Sequence, residues 1–366
     1  MTSQKHQSPS CTVENCDCKN RNKPLQIQKR EQHPVQTNHH AKGVLIATSL
    51  AAAIGTVGTF AYTHMLVAAV AERENRTLRN LVSIRRRFSK ANETLAALQE
   101  IPGMSEAKHI FSRCLRVSIR SNDGLRLYAH WYRAPHARRT LLLAHGWHGH
   151  WYRDFTPLVA DLAKRNCNLL LIEQRAHDDS EGRYITMGFS ERYDIAKWAF
   201  LLAQLEPSLP LYLCGISMGA ASVLQASVLS LPPQVCGVIS DATFSSAQEI
   251  ISLVMRRNIH VSPLPNMWLL NHYLQKHAGF RYDTGSSPLE TVQQMRLPVL
   301  FVHGTADRFV PFSMTERCYA ACHAEKELFA VPGADHCGTY LTDHNGYLNV
   351  LDHFFQKHDT CFSQGK

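Results

Sequence analysis

Residues 211–219 read LYLCGISMG, and this stretch decides the fold. Residues 211–214 form a short apolar run that predicts a buried strand, and residues 220–229 favour a helix. The pattern G-x-S-x-G between them is typical of a sharp turn that presents a hydroxyl above a sheet, because the glycines leave room where a side chain would collide with backbone. The start of the helix also favours negative charge that develops beside the turn. We therefore expect Ser217 to be a nucleophile.

Further short apolar runs lie on both sides of this stretch. They are Thr140–Ala144, Asn168–Ile172, Val235–Ile239, Val299–Val302 and Leu328–Val331. Most of them are separated by stretches long enough for a helix, such as Phe155–Arg165 and Glu191–Leu205. Buried strands that alternate with helices predict an α/β fold with a mostly parallel central sheet covered on both faces.

Two other features complete the predicted domain. Residues 115–120 and 125–131 alternate in polarity around an Asn-Asp-Gly turn, which predicts a hairpin. Residues 245–296 form a segment longer than one crossover helix needs, with two helical runs interrupted by prolines. We expect this segment to form a small helical cap over the carboxyl edge of the sheet.

A serine hydroxyl becomes a good nucleophile only when a base takes its proton, so a histidine is expected nearby. His336 lies in the glycine-containing loop GADHCG, directly after the last apolar run. This is where the base would follow the serine and the acid in chain order. Other histidines late in the chain lie on or near predicted helices and are expected in solvent. They are His323, His344, His353 and His358.

An acidic residue must hold the imidazole in the right tautomer and stabilise its charged form. Asp307 lies in residues 303–311, HGTADRFVP, just after a predicted strand. Asp335 is the neighbour of the histidine and a rival, but an adjacent side chain usually points elsewhere, so we interpret it as a carboxylate that caps the loop. Asp241, after an earlier strand, is a second rival.

The oxyanion of an acyl-transfer intermediate needs two hydrogen-bond donors. The backbone N–H of Met218, which follows the serine, is one candidate. The other is expected from the loop after an earlier strand, where residues 145–149 read HGWHG. We nominate the backbone N–H of Trp147, whose ring would also line the pocket.

The HGWHG loop, the serine turn, HGTADRFVP and GADH resemble, in order and spacing, the α/β-hydrolase superfamily over residues 114–356. Within it the chain resembles membrane-anchored bacterial hydrolases that are described as serine aminopeptidase-like or prolyl-oligopeptidase-like. The resemblance implies an α/β-hydrolase fold and acyl transfer by Ser217, His336 and Asp307. Such a reaction requires no metal or organic cofactor.

Residues 175–182, RAHDDSEG, resemble the R-G-H-G-x-S-x-G loop of that group. The chain departs from the pattern at Ala176 and Asp178, which replace loop glycines. Because this loop borders the active site, the departure puts the shape of the loop and the substrate preference in question, and leaves the catalytic residues unaffected.

Residues 43–70 contain no Asp, Glu, Lys or Arg, and they are long enough to cross a bilayer. They predict a transmembrane helix between a disordered polar tail, residues 1–42, and an amphipathic linker helix, residues 71–104. The hydrolase domain would then occupy residues 105–366. A cleaved signal peptide is the alternative, but the polar leader and the apolar stretch are both too long for one.

The basic residues are interpreted together with this segment. The formal net charge is +9, but many Lys and Arg flank the apolar segment, which indicates a membrane interface rather than a nucleic-acid partner. More of them follow the segment than precede it, but long domains translocate regardless of charge, so the side of the membrane stays open. The resemblance implies a bacterial cell membrane.

The cysteines do not indicate a metal site, because no cysteine pair has the spacing of a zinc site.

The substrate class remains open between two alternatives at this stage. A carboxyl ester is the first choice, because esters are chemically easiest to cleave. An amide or short peptide is the second, and an acidic cluster formed by Asp178, Asp179 or Glu181 near the pocket would favour it by binding a free amine.

The alternative to an enzyme is a catalytically silent domain that serves as a membrane-tethered binding module. The oligomeric state is not predicted.

Overall fold

The computed structural model describes residues 57–73, 104–285 and 287–360. The predicted tail, residues 1–42, lies outside the described residues, as do residues 43–56 of the predicted transmembrane segment and residues 74–103 of the predicted linker. Among the residues that are described, no helix is both long and apolar enough to cross a membrane.

The centre of the molecule is an eight-stranded sheet with the order β1-β2-β4-β3-β5-β6-β7-β8. Its strands are β1 (Leu115–Arg120), β2 (Arg126–Tyr132), β3 (Arg139–Ala144), β4 (Cys167–Ile172), β5 (Leu211–Ile216), β6 (Val235–Asp241), β7 (Val299–Gly304) and β8 (Lys326–Val331). β2 pairs antiparallel with β1 and β4, and the other neighbours are parallel. The predicted mostly parallel sheet is confirmed, and each predicted strand is found within a few residues of its expected bounds.

Helices cover both faces of this sheet, which explains why its central strands are apolar along their whole length. On one face lie α2 (Met104–Ser112), α3 (Thr156–Lys164), α10 (Thr339–Thr342) and α11 (His344–His358). On the other lie α4 (Glu191–Leu205), α5 (Met218–Ala226), α8 (Pro288–Thr291) and α9 (Phe312–Ala321). The predicted helix Glu191–Leu205 is found with those bounds.

A third apolar cluster involves the segment between β6 and β7. It is built by α6 (Ala247–Val254), a π-helical turn (Met255–Ile259) and α7 (Pro263–Ala278). The prolines that interrupt the sequence pattern lie at the start of α7, with Pro263 in its first turn. These helices stand over the serine turn, where the sequence predicts a cap.

The described N-terminal residues pack into the same cluster. Residues 57–70 are helical (α1), and residues 57–73 belong to one compact unit with the sheet and its helices. Thr63, Leu66, Val67 and Val70 are buried along one stripe of α1, at the spacing of a helix that packs against a core. Residues well before the predicted domain start at residue 105 thus contribute to the apolar interior.

Candidate active site

Ser217 lies at the turn between β5 and α5, with φ of 56° and ψ of −114°. This conformation is strained for any residue other than glycine, and it persists only where the surroundings enforce it. A Cβ on Gly215 would overlap the backbone of Gly219, and a Cβ on Gly219 would overlap the carbonyl oxygen of Ala144. The two glycines therefore let the chain turn tightly enough to place the hydroxyl at the carboxyl end of the sheet.

The structure brings Ser217, His336 and Asp307 together in one hydrogen-bonded row. The Ser217 hydroxyl lies 3.0 Å from Nε2 of His336, and Nδ1 of the same imidazole lies 2.7 Å from Oδ2 of Asp307. The serine is 5% exposed, and the carboxylate side chain is fully buried. A proton can therefore pass from the hydroxyl to an imidazole whose other nitrogen is already bonded.

Asp307 has a partner for both of its carboxylate oxygens. Oδ1 accepts the backbone amides of Phe309 and Val310, each at 2.8 Å. Oδ2 accepts from His336 and, at 3.1 Å, from Nε2–H of His303. Burial alone would raise the pKa of Asp307, but the charge of His336 and the hydrogen bonds from both imidazoles hold that pKa well below its usual value. The carboxylate is therefore charged at neutral pH.

The contact between the two side chains lowers the pKa of Asp307 and raises the pKa of His336. Desolvation disfavours its charged form, but contacts with Cys337 and Asp307 outweigh this effect and hold the pKa of His336 well above its ordinary value. The imidazole is thus a stronger base than a histidine in water, and it favours the charged form that appears when it takes a proton.

The rival candidates have other partners. Asp335 accepts the amide and the guanidinium of Arg308, in the role of a loop carboxylate. Asp241 is buried below the serine turn, where Thr339 and Tyr347 donate to it, and burial raises its pKa to about 6.

The other late histidines are exposed as expected, with one exception. Those exposed are His323, His344 and His353. The expectation for His358 is wrong, because it is 5% exposed and its ring packs on Phe354 in the last turns of α11.

Trp147 and Met218, the predicted oxyanion donors, both line the pocket that holds Ser217. Met218 is the first residue of α5, where backbone N–H groups have no partner within the helix. The HGWHG loop is held in place by Asp154, whose Oδ2 accepts the amide of Gly146 at 2.9 Å. The role of the backbone N–H groups of Trp147 and Met218 as oxyanion donors stays a prediction.

Three residues that support this arrangement were not singled out from the sequence. His303 orients Asp307, and its Nδ1 lies 2.7 Å from Oγ1 of Thr315 on α9. Asp154 holds the HGWHG loop, and Gln174 donates its backbone amide to Nε2 of His145 at 3.1 Å. A histidine near the end of a buried strand, four residues before a candidate acid, is the one signal that could have indicated His303.

The loop at residues 175–182 keeps the backbone that glycine would adopt. Ala176 has φ of 60° and Asp178 has φ of 44°, both in the left-handed region. Each carboxylate of the loop has its own partner. Asp178 bonds Nδ1 of His150 at 2.5 Å, and Asp179 bonds Arg116 at 2.6 Å. Glu181 accepts the backbone amide of Arg126. The three carboxylates of this loop therefore face other partners and do not line the pocket.

The pocket above Ser217 is apolar. With its open mouth it holds about 440 Å³ of space. Besides the serine, it is lined by Val70, Trp147, Met187, Met218, Phe244, Ile250, Ile251, Val254, Met255, Phe309 and Val310. Since none of these described side chains carries a charge, the pocket suits a hydrocarbon group attached to the carbonyl that Ser217 would attack.

Comparisons with known proteins agree with this architecture. Residues 135–282 match the hydrolase family model that is described as serine aminopeptidase S33. Among curated relatives, YqkD of Bacillus subtilis, described as uncharacterized, is 27% identical over 188 residues. That match covers 51% of this chain and 61% of YqkD, so the chain spans less than two thirds of that relative.

Two solved structures show the fold. The esterase Pf2001 of Pyrococcus furiosus superposes with a TM-score of 0.54 at 20% identity, over 67% of this chain and 93% of the esterase. Acylaminoacyl peptidase of Pyrococcus horikoshii superposes with a TM-score of 0.50 at 17% identity, over 67% of this chain and 41% of the peptidase. The expected α/β-hydrolase fold is thereby confirmed.

Proposed function

We propose that this chain, which has the α/β-hydrolase fold, is a membrane-anchored serine hydrolase that cleaves carboxyl esters with an apolar acyl group. The observation that carries the proposal is that His336 bonds both Asp307 and Ser217, and that Ser217 lines an uncharged pocket. A binding module would have no use for a strained serine turn and a fully partnered carboxylate.

The proposed cycle is acyl transfer. The Ser217 oxygen attacks the ester carbonyl while Nε2 of His336 takes its proton, and the charged imidazole is stabilised by Asp307. The backbone N–H groups of Trp147 and Met218 would hold the oxyanion. His336 then protonates the leaving alcohol, and an attacking water releases the acid by the same steps.

The pocket favours an ester over a peptide with a free amine. An α-ammonium group needs a carboxylate partner, and the described residues that line the pocket supply none. Asp178, Asp179 and Glu181, the acidic residues considered for this role, bond His150, Arg116 and the Arg126 amide instead. The esterase neighbour supports the ester reading. The family description and the peptidase neighbour support an amide substrate, which is therefore the second candidate.

Membrane anchoring rests on the sequence. Although the last turns of α1 pack on the domain, residues 43–62 remain uncharged and match the roughly 20 residues that a helix needs to cross a bilayer. Leu264 and Trp268 on the cap helix α7 are 74% and 60% exposed. Exposed apolar side chains of this kind suit a surface beside lipid, since tryptophan favours the membrane interface.

The test uses the purified full chain in detergent micelles. We expect hydrolysis of p-nitrophenyl butyrate that falls by about 10⁶-fold in Ser217→Ala. Alanine and leucine p-nitroanilides, which carry a free amine, should be cleaved far more slowly. Preference for the anilides would overturn the ester assignment in favour of the peptidase, and turnover of neither class by the folded protein would favour the binding module.

A further inference from the structure

One wall of the pocket comes from the N-terminal segment, far from the catalytic residues along the chain. Val70, at the end of α1, lines the same pocket as Ser217. We call residues 63–73 the strap, since they pack on the domain and are hydrogen-bonded to it. Within the strap Val67 and Ala71 are fully buried, and Leu66 and Val70 are each 4% exposed.

Backbone hydrogen bonds fix the strap to the domain. The carbonyl of Ala71 accepts the amide of Ile185 at 2.6 Å, and the amide of Arg73 donates to the carbonyl of Arg183 at 2.8 Å. The guanidinium of Arg73 donates to the carbonyls of Ser180, at 2.7 Å, and Asp178. The strap is therefore joined to the loop in which Ala176 and Asp178 replace glycines.

A further contact joins the strap to the predicted oxyanion loop. The indole Nε1–H of Trp147 donates to the carbonyl of Val70 at 3.1 Å. On the cap side, the ring of His64 packs edge-on against Tyr273 of α7, with ring centroids 4.8 Å apart. Val70 is thus held between the loop that carries Trp147 and the cap, and its position is fixed from both sides.

We propose that the strap is a built-in wall of the acyl pocket and that Val70 is a specificity-determining residue, which limits the size of the acyl group. The proposal rests on the proposed function. A smaller side chain at this position would leave room in the pocket, and a larger one would occupy space that an acyl chain needs. A difference of one methylene group in an apolar pocket changes specificity by about 10- to 200-fold.

The experiment measures kcat/KM of the full chain, in detergent micelles, for p-nitrophenyl acetate, butyrate, octanoate and decanoate. Val70→Ala should raise the ratio of decanoate to acetate turnover by about tenfold, and Val70→Phe should lower it by a similar factor. Met65→Ala is the matched control, since Met65 lies on the same helix but is 44% exposed. Its acyl-length profile should match that of the wild type.

Labelling of Ser217 by a small fluorophosphonate separates the two hypotheses. If the Val70 variants label at the wild-type rate but keep the wild-type acyl profile, the strap proposal is overturned and the proposed function stands. If the folded wild type neither labels nor turns over esters, the proposed function fails and the strap proposal falls with it. Should Val70→Phe not fold, Val70→Ala and Val70→Leu provide the same pair of opposite shifts.

Discussion

The floor, which is the hydrogen-bonded row of Ser217, His336 and Asp307 with His303 behind the pocket, and the apolar wall of the pocket are built in different ways. The floor is polar, and its residues lie at the carboxyl ends of neighbouring strands, where each oxygen of Asp307 has a hydrogen-bond partner. The wall is apolar and comes from α6, the π-helical turn and the strap, which lie outside the sheet. In the proposed function the floor would carry the chemistry, and the wall would select the acyl groups that reach it.

The difference has an energetic consequence. A hydrogen bond to a charged group is directional and contributes about 1.5–3 kcal/mol, so the loss of one donor in the floor should slow every substrate. Contacts in the wall are non-directional and scale with area, so a change there should slow some acyl groups and favour others. The following variants test whether the two regions separate in this way.

The largest effect is expected for Asp307→Asn. The substitution preserves shape but removes the charge that orients and stabilises the His336 imidazolium, so kcat should fall by about 10⁴-fold. Because the change lies in the floor, the factor should be the same for acetate and decanoate esters. A factor that depends strongly on acyl length would show that floor and wall are not separate.

A smaller effect is expected for His303→Phe, which keeps a ring but removes the Nε2–H donor to Asp307. The loss of one hydrogen bond to a charged group should reduce kcat by about 10- to 100-fold. His323→Ala is the control, since this histidine is exposed and its ring lies 3.0 Å from the carbonyl of Gln293, away from the catalytic residues. An equal loss of kcat in both variants would contradict the assignment of His303 as the residue that positions Asp307.

The pH dependence of kcat/KM should report the raised pKa of His336. The protonated imidazole cannot accept the serine proton, so activity should fall about tenfold per pH unit below this pKa. Since Asp307 and Cys337 hold the pKa well above 6.5, the rising limb should have its midpoint above that value. A limb at or below pH 6.5 in the wild type would contradict this electrostatic account.

The smallest effect is expected for Ala176→Gly, beside the wall. Glycine would relieve about 1–2 kcal/mol of strain in the left-handed backbone of residue 176. It would also lose the burial of one methyl group and increase the conformational entropy of the unfolded chain. Together these two losses are similar in size to the gain. The free energy of unfolding should therefore change by less than about 1 kcal/mol. Ala199→Gly in α4, a fully buried helical control without such strain, should lose more stability in urea unfolding. Equal losses would show that Ala176 is unstrained.

Most of the fold could be predicted because its signals are local. The strand runs and the helix Glu191–Leu205 each follow from apolar patterns within a few turns of chain. Short motifs predict Ser217 and His336 as site residues, and the structure brings them to hydrogen-bond distance together with Asp307. Strand order places such motifs side by side, so local patterns are sufficient for Ser217, His336 and Asp307, although they do not predict His303.

The wall could not be predicted in the same way. Residues 43–70 contain no Asp, Glu, Lys or Arg, so the pattern that predicts a membrane span hides the stripe by which Val67 and Val70 pack on the domain. The contact between Val70 and Trp147 joins residues 77 positions apart and leaves no local signal. The prediction for His358 is wrong for a similar reason, because the burial of the last turn of α11 depends on what packs against it.

The most direct test of the account is to label the full chain with a fluorophosphonate and to map the adduct by mass spectrometry. We expect one adduct, on the peptide that contains Ser217, with none in Ser217→Ala and slow labelling in Asp307→Asn. A folded wild-type protein that forms no adduct, or forms it on another residue, would contradict the assignment of Ser217 as an activated nucleophile.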